Sequence, residues 1–562
     1  MTTGGVMRNI RSAVLVLLST SFVVCSQPVM RPGWPATLNP VGSVWSKNCL
    51  AVTATPAEGR IIAAATNLAV GVWDEDGVFF PGWPVALEYE EDGLIVSGPR
   101  LGNVTGDAAP EVVLRVAHPE QRTRLLVFNL QAERLPFEFD HSPWTPFPDT
   151  WPMGGHVLID VDDDTHEEIF FIADTLLFGV NGDGSSLPGY PISAGEISAS
   201  RNATPCFGIG DGWGGEPVVF WHTRTLIHGR YLETGESIPG YPIVYDGDYY
   251  SSPLTLIPRP NGWAVSLVDE DSLHAWNRDG ERLEGFPVEN PFINGESEAG
   301  YDVIASDIDG DDEPELFYSV FENFLYGRHL EGACVDGFPL NILSNGSAEP
   351  FVALRSTESD SGFLFGMCNG PNRDSILVHG FRYNETITGF PFFENMEISS
   401  RPYAQTAVFP PVEGSMILVT FNRNGFIAAF DVPVPEGDYR MEWPMPGHSP
   451  GGNRLYHPEV TSAVNDPTVP TPVTSTFAAV YPNPSNGSFR FRLRPDSQGH
   501  ARIVIHDVLG RKVYDTRLEG GRGNVLQHRW NARLDGTSLS AGVYMVTLIG
   551  ERTVTRKAVL LP

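Results

Sequence analysis

The chain has 562 residues, enough for more than one domain, with an ordinary 41% of hydrophobic residues, 58 Gly and 47 Pro. Abundant turn formers and the lack of long helical apolar periods point to many short strands and exclude a helical protein. The formal net charge of −32 excludes a nucleic-acid binder, which needs basic patches, and suits cations.

Residues 1–26 read as a secretory signal. Arg8 and Arg11 give a basic start, Ala13 to Val24 an apolar run too short for an ordinary transmembrane span, and Val24-Cys25-Ser26 small residues for cleavage. Cys25 invites a lipoprotein reading, against which stands Val24 where such signals want a small residue. No second apolar stretch is long enough to span a bilayer. After cleavage four cysteines remain, Cys49, Cys206, Cys334 and Cys368, without metal-type pairing. An exported protein can oxidise them, but no pairing is read.

Residues 27–448 are organised by a short repeat, Gly-aromatic-Pro. It occurs at Gly33-Trp34-Pro35, Gly82-Trp83-Pro84, Gly189-Tyr190-Pro191, Gly240-Tyr241-Pro242, Gly285-Phe286-Pro287, Gly337-Phe338-Pro339 and Gly389-Phe390-Pro391. Leu135-Pro136-Phe137 stands where another copy is due, and Glu442-Trp443-Pro444 reads as a degenerate last copy. The beat of roughly 50 residues is that of propellers and solenoids. Between marks lie apolar strands and Asp-Gly or Asn-Gly hairpin turns, as in Trp73-Asp74-Glu75-Asp76-Gly77. Four strands per repeat is a propeller blade. Nine marks enclose eight repeats, so the fold expected is all-β, a β-propeller of eight four-stranded blades, with seven as the alternative. Pro, lacking an N–H, belongs on an outer strand, and the aromatic packs between blades rather than forming a sugar platform.

Two repeats carry a loop that gathers carboxylates. Asp307, Asp309, Asp311 and Glu315 occupy loop positions 1, 3, 5 and 9; Asp160, Asp162, Asp164 and Glu168 do the same. Calcium takes six to eight oxygens, and alternate residues of a tight loop point inward. The carbonyls of Glu313 and His166 at position 7 can complete the shell. Four such carboxylates repel one another without a cation. Asn103, Thr105, Asp107 and Glu111 form a third loop that reads equally as a weaker copy or as a plain turn. For the two full loops the expectation is Ca²⁺ rather than a solvated acidic turn.

Strand, Asp-x-Asp-Gly-Asp-x-x-x-Glu loop, strand resembles the FG-GAP or VCBS repeat of integrin-alpha-like propellers. Glu442-Trp443-Pro444-Met445-Pro446-Gly447-His448 resembles the ending of many such exported propellers. The resemblance implies calcium in blade loops and a face that binds glycan or protein.

Residues 449–476, with Val469-Pro470-Thr471-Pro472, read as a Pro/Thr-rich linker. From 477 onward the composition changes: thirteen Lys and Arg stand against six Asp and Glu, so a basic end follows an acidic body. Strands such as Phe489–Leu493 and Val543–Leu548 alternate with period two, as in a small β-sandwich. Tyr481-Pro482-Asn483-Pro484, His506-Asp507-Val508-Leu509-Gly510-Arg511, Leu539-Ser540-Ala541-Gly542-Val543-Tyr544 and Lys557-Ala558-Val559-Leu560 resemble the C-terminal sorting domain, type A, of type IX secretion cargo. A FlgD-like immunoglobulin domain is the nearby alternative. The end at Leu561-Pro562 departs from members that finish on lysine. The resemblance implies partners in the type IX secretion machinery and a destination at the outer-membrane cell surface or outside the cell.

No Gly-x-Ser-x-Gly, His-Glu-x-x-His, P-loop or dinucleotide fingerprint occurs. The expectation is a non-catalytic binding protein. The alternative is a secreted propeller enzyme on polysaccharide or peptide, since acidic pairs are abundant.

Overall fold

The computed structural model describes residues 28–561 except 39–48, 89–92, 108, 119–121, 142–154, 162–165, 174, 196–203, 209–216, 224, 233–234, 246–250, 260–261, 270, 291–301, 321–323, 343–350, 358–361, 370–375, 395–403, 423–424, 450–453, 455–458, 462–475, 482–488, 495–499, 509–510, 520–525, 535–536 and 550–552. The signal sequence and most of the linker lie outside these residues. Every regular element among them is a β-strand.

Among the described residues eight antiparallel sheets follow one another from residue 50 to residue 433. The first is Leu50–Thr55, Gly59–Ala65, Ala69–Asp74 and Val85–Ala86, each strand paired with the next in sequence. The others repeat it, with first strands Leu94–Gly102, His156–Ile159, Cys206–Gly208, Thr255–Arg259, Val303–Ser306, Val352–Ser356 and Ala404–Val412. The eighth sheet draws its outer strands from the start of the chain: Val29–Met30 and Ala36–Thr37 pair with Phe426–Pro433. This closes a ring, and the arrangement is propeller-like.

Packing follows from the strands' composition. Their inner portions are continuously apolar, as in Ile169-Phe170-Phe171-Ile172, because both faces are covered. Each apolar cluster is shared by neighbouring sheets. Ile62 and Trp73 of the first pack with Phe421 and Ala429 of the eighth; Val157 and Phe170 of the third pack with Phe207 and Trp221 of the fourth.

All seven Gly-aromatic-Pro marks have a cis peptide before proline. Each glycine has positive φ, and in several the space for a Cβ is taken by a neighbouring turn: the carbonyl of Asp76 at Gly33, of Asp279 at Gly240, of Glu331 at Gly285. The aromatic ring bonds the same turns. Trp34 Nε1 donates to the Glu75 carbonyl (3.1 Å), Trp83 Nε1 to Leu130 O (3.0 Å) and the Tyr241 hydroxyl to Asn277 O (3.3 Å). The mark therefore clips one sheet onto the hairpin of the next.

Two expected marks differ. Leu135-Pro136 sits inside a long outer strand, Arg134–His141, where the other sheets have two or three paired residues after proline. Lacking the glycine, the chain pairs on past the mark, with a bulge between Arg134 and Glu138. Glu442-Trp443-Pro444 ends no blade. Tyr439–Trp443 pairs with Val352–Ser356, the first strand of the seventh sheet, on its free edge. The chain then crosses the middle of the ring: the Pro444 carbonyl accepts from Val408 N, that of Pro446 from Arg100 Nη1, and that of Arg454 from Leu256 N. Trp443 and Met445 are buried there, so an apolar segment fills the axis of the ring. Within the stretch read as linker, Arg454 is buried and Glu459–Thr461 pairs with Tyr439–Met441.

Beyond it, Thr476–Tyr481, Phe489–Arg494 and Leu526–Trp530 form one sheet, and Lys512–Glu519, His500–Asp507, Gly542–Ile549 and Thr553–Leu560 another. Phe489 and Trp530 of the first share a core with Ile503, Ile505, Tyr544 and Val546 of the second. Among the described residues none of the four cysteines forms a disulfide; Cys49, Cys206 and Cys368 are buried and Cys334 is exposed.

Candidate metal centre

Three loops between the first and second strands of sheets two, three and six share one device. The position-9 glutamate opens the second strand, is almost fully buried, and accepts a hydrogen bond from the position-2 amide. Val104 N donates to Glu111 Oε2 (2.9 Å), Val161 N to Glu168 Oε2 (2.9 Å) and Ile308 N to Glu315 Oε2 (3.0 Å). The loops then diverge in how they treat the charge.

In the Asn103 loop hydrogen bonds within the protein meet it. Thr105 Oγ1 donates to Glu111 Oε1 (2.9 Å), and Asn103 Oδ1 accepts from Gly106 N (2.8 Å). Asp107 is exposed and accepts from Ala109 N. Burial still pushes the Glu111 carboxyl up, with the Thr105 hydroxyl opposing. A hydroxyl thus stands at position 3, where the full loops place their second carboxylate.

In the third sheet Asp160, His166 and Glu168 are described, while Asp162 and Asp164 lie outside the described residues. This loop packs on the previous one. Asn103 N donates to Glu167 Oε2 (2.8 Å), and a Cβ at Gly106 would strike the His166 ring. Burial, with Asp160 and Glu168 adding to it, pushes the Glu167 carboxyl up to about 7.

The sixth sheet brings its acidic residues together most fully. Asp307, Asp309 and Asp311 each offer an oxygen within 4.8 Å of the others. Asp307 is 1% exposed: Oδ1 accepts from Gly310 N (2.8 Å) and Oδ2 from Asp312 N (3.1 Å). Arg355, from the first strand of the seventh sheet, adds Nη1 at 3.0 Å from Asp307 Oδ2. Burial pushes the Asp307 carboxyl up, with Arg355 opposing. Glu313 is exposed, its amide capping Asp311 Oδ1 (2.8 Å). Asp312 adopts φ 66°, and its carboxylate meets Arg355 and Arg440. Glu315 is 1% exposed; burial first, then Asp309, Asp311 and Asp307, push its carboxyl up to about 9. Its Oε1 is buried without a hydrogen bond and faces His329 Nδ1 at 3.2 Å.

Three residues at this loop escape a reading of the loop alone. Arg355 and Glu442 arrive from elsewhere in the chain, Glu442 Oε2 accepting from Asp307 N (3.2 Å). His329 had a signal in the sequence: it occupies the hairpin position held by Asp74, Asn129, Asn181 and Asn277 in other repeats.

The family of secretion system C-terminal sorting domains matches residues 479–561. The chain ends in a sorting domain of type IX secretion. It is exported to the cell surface or secreted. No curated protein matches the chain. Solved structures that match include BBS1N in complex with ARL6DN, soaked with lead, at 9% identity, covering 72% of this chain and 99% of that one with a TM-score of 0.39. The Dos1 propeller matches at 9% identity, 73% and 96% coverage and a TM-score of 0.37. Apo AztD from Citrobacter koseri matches at 11%, 67% and 94%, and 0.33. No helix among the described residues is long and apolar enough to cross a membrane.

Proposed function

We propose that this is an exported, non-catalytic binding protein: an eight-bladed propeller of FG-GAP type, braced by calcium, that presents a glycan- or protein-binding face. An N-terminal signal starts its export and an immunoglobulin-like sorting domain completes it. The observation that carries the calcium reading is Glu315. A carboxyl buried beside three aspartates and raised to about 9 marks charge that the protein's own groups leave uncompensated. A hard dication with oxygen ligands supplies that compensation. The Asn103 loop supports the contrast, since there a hydroxyl and an asparagine meet the same geometry. The binding reading rests on the general concentration of recognition residues in the connections of a scaffold. The sequence between successive sheets carries Trp45, Tyr89, Trp144, Trp151, Tyr249 and Tyr250, rings of the kind that stack on sugars and anchor protein partners.

The test is thermal melting of the full-length chain in calcium and in chelator, then a glycan array on the calcium form. Calcium at 100 times its Kd adds ~2.7 kcal/mol, seen as a rise in Tm. Asp309→Asn with Asp311→Asn removes most of that rise while leaving Asp307 to neutralise Arg355. Equal melting of parent and variant in both conditions overturns the brace. A calcium shift without a glycan hit directs the search to protein ligands.

A further inference from the structure

His329 breaks a pattern that three other hairpins keep. The turn after the third strand has one backbone geometry in five sheets: residue 1 donates its amide to the carbonyl of residue 5, as Asp74 to Val78, Asn129 to Glu133, Asn181 to Ser185, Asn277 to Glu281 and His329 to Ala333. Where residue 1 is Asp74, Asn129 or Asn277, its side-chain oxygen folds back to accept from two amides of its own turn. His329 puts its ring against Glu315 instead. This exchange falls in the sheet where Asp307, Asp309 and Asp311 converge, and it gives up two hydrogen bonds of the turn.

What the ring meets is an oxygen without a hydrogen bond. Glu315 Oε1 is buried, while Oε2 is held by Ile308 N. Asp309 joins them, the three ligand atoms lying within 4.8 Å of one another. A tetrahedron with metal–ligand bonds of ~2.0–2.1 Å has edges of ~3.3–3.4 Å. The separation of His329 Nδ1 and Glu315 Oε1, 3.2 Å, is close to such an edge. The Ile308 amide supplies the outer bond that orients a ligating carboxylate. Calcium prefers oxygen throughout; an imidazole in the set suits first-row transition ions.

We propose that Asp309, Glu315 and His329 form a mixed nitrogen–oxygen site for a divalent transition-metal ion, sharing Asp309 with the all-oxygen set of Asp307, Asp309 and Asp311. One ligand set or the other is filled, because Asp309 serves both. A partly exposed Asp309 leaves room for water as the fourth ligand. This inference shares Asp309 and Glu315 with the calcium reading and stands apart from it through the His329 ring, which an all-oxygen loop does not need. The plain alternative is a histidine–glutamate ion pair with no metal.

The test is titration of the chelator-stripped full-length protein with Co²⁺, read by visible absorption, with Zn²⁺ as competitor. The expected result is one high-affinity Co²⁺ with the strong absorption of a four-coordinate ion, displaced by Zn²⁺. His329→Asn weakens Co²⁺ by at least 100-fold, and Asp309→Asn does likewise. His329→Asn keeps the fold because asparagine caps this turn elsewhere in the ring, and melting in chelator confirms that. Its calcium shift persists. Co²⁺ bound equally by parent and His329→Asn overturns the proposal, as does the absence of a stoichiometric Co²⁺. Co²⁺ binding that depends on His329, in a protein with no calcium shift, upholds this site and overturns the calcium brace instead.

Discussion

At the scale of single residues, the glycine of the repeated mark does two jobs that no other residue does at once. It holds positive φ, and at Gly33, Gly82, Gly240 and Gly285 it leaves empty the volume into which the next sheet's hairpin carbonyl projects. Gly285→Ala would place a Cβ against the Glu331 carbonyl, while Gly59, also at positive φ, has nothing within 4 Å. The expected costs are ~2–4 kcal/mol for Gly285→Ala and ~1 kcal/mol for Gly59→Ala. Equal melting of the two variants would show that the close approach contributes nothing. The sequence made the mark visible because it recurs, and the aromatic's place between sheets followed from its size. The hydrogen bonds of Trp34, Trp83 and Tyr241 to turn carbonyls were not legible, since their acceptors lie about 40 residues downstream.

At the scale of elements, the segment from Tyr439 to Arg454 belongs to no repeat. Its resemblance to the marks, Glu442-Trp443-Pro444, made it look like the end of the last one. The difference is physical: eight first strands packed in a ring leave an axial gap, and the last apolar segment before the basic end is the one free to fill it. Arg454 holds it there. Its Nε donates to the Leu254 carbonyl (2.7 Å), and its guanidinium pairs with Asp302, both side chains being buried. Removing one partner of a buried pair strands the other charge, at a cost of ~3–5 kcal/mol. Arg454→Met should therefore lower the Tm by several degrees, whereas Arg454→Met with Asp302→Leu should recover much of the loss. If the double variant melts no higher than the single one, the pair is not what holds the segment. The acidic loops were legible because their spacing carries the chemistry. Arg355 and Glu442 were not, because each reaches the site through tertiary packing, while His329 left only the break in the hairpin pattern.

At the scale of the whole molecule, burial of neutral histidines sets a dependence on acid. Burial lowers His379 to about 4, and burial with Arg230 nearby lowers His228 to about 4; His156 is driven down by burial and by Arg100. Between those values and the ordinary ~6.5, the unfolded chain binds protons that the folded chain refuses. The stability is thus complete above pH ~6.5 and is lost as pH falls toward 4, at a limit of ~1.4 kcal/mol per unit for each histidine. The raised Glu167 and Glu315 carboxyls act in the opposite sense, so the check is comparative: on acidification across this window the Tm of His379→Gln should drop less, relative to its value at neutral pH, than that of the parent. An unchanged slope in that variant would remove His379 from the account. The acidic composition points to cations, while this second sensitivity depends on which imidazoles the sheets enclose, and the sequence does not show that.

The chain closes its ring with its first strands and threads its last segment through the middle before the sorting domain begins. Whatever grips the sorting domain during export therefore tugs on Glu459–Thr461, then on Tyr439–Trp443, and so on the hub and not the rim. The load enters at the edge of the seventh sheet, beside Arg355 and the Asp307 loop, where the strands would peel apart one bond at a time. The propeller is towed by its axle, and the acidic loop is the fastening nearest the rope.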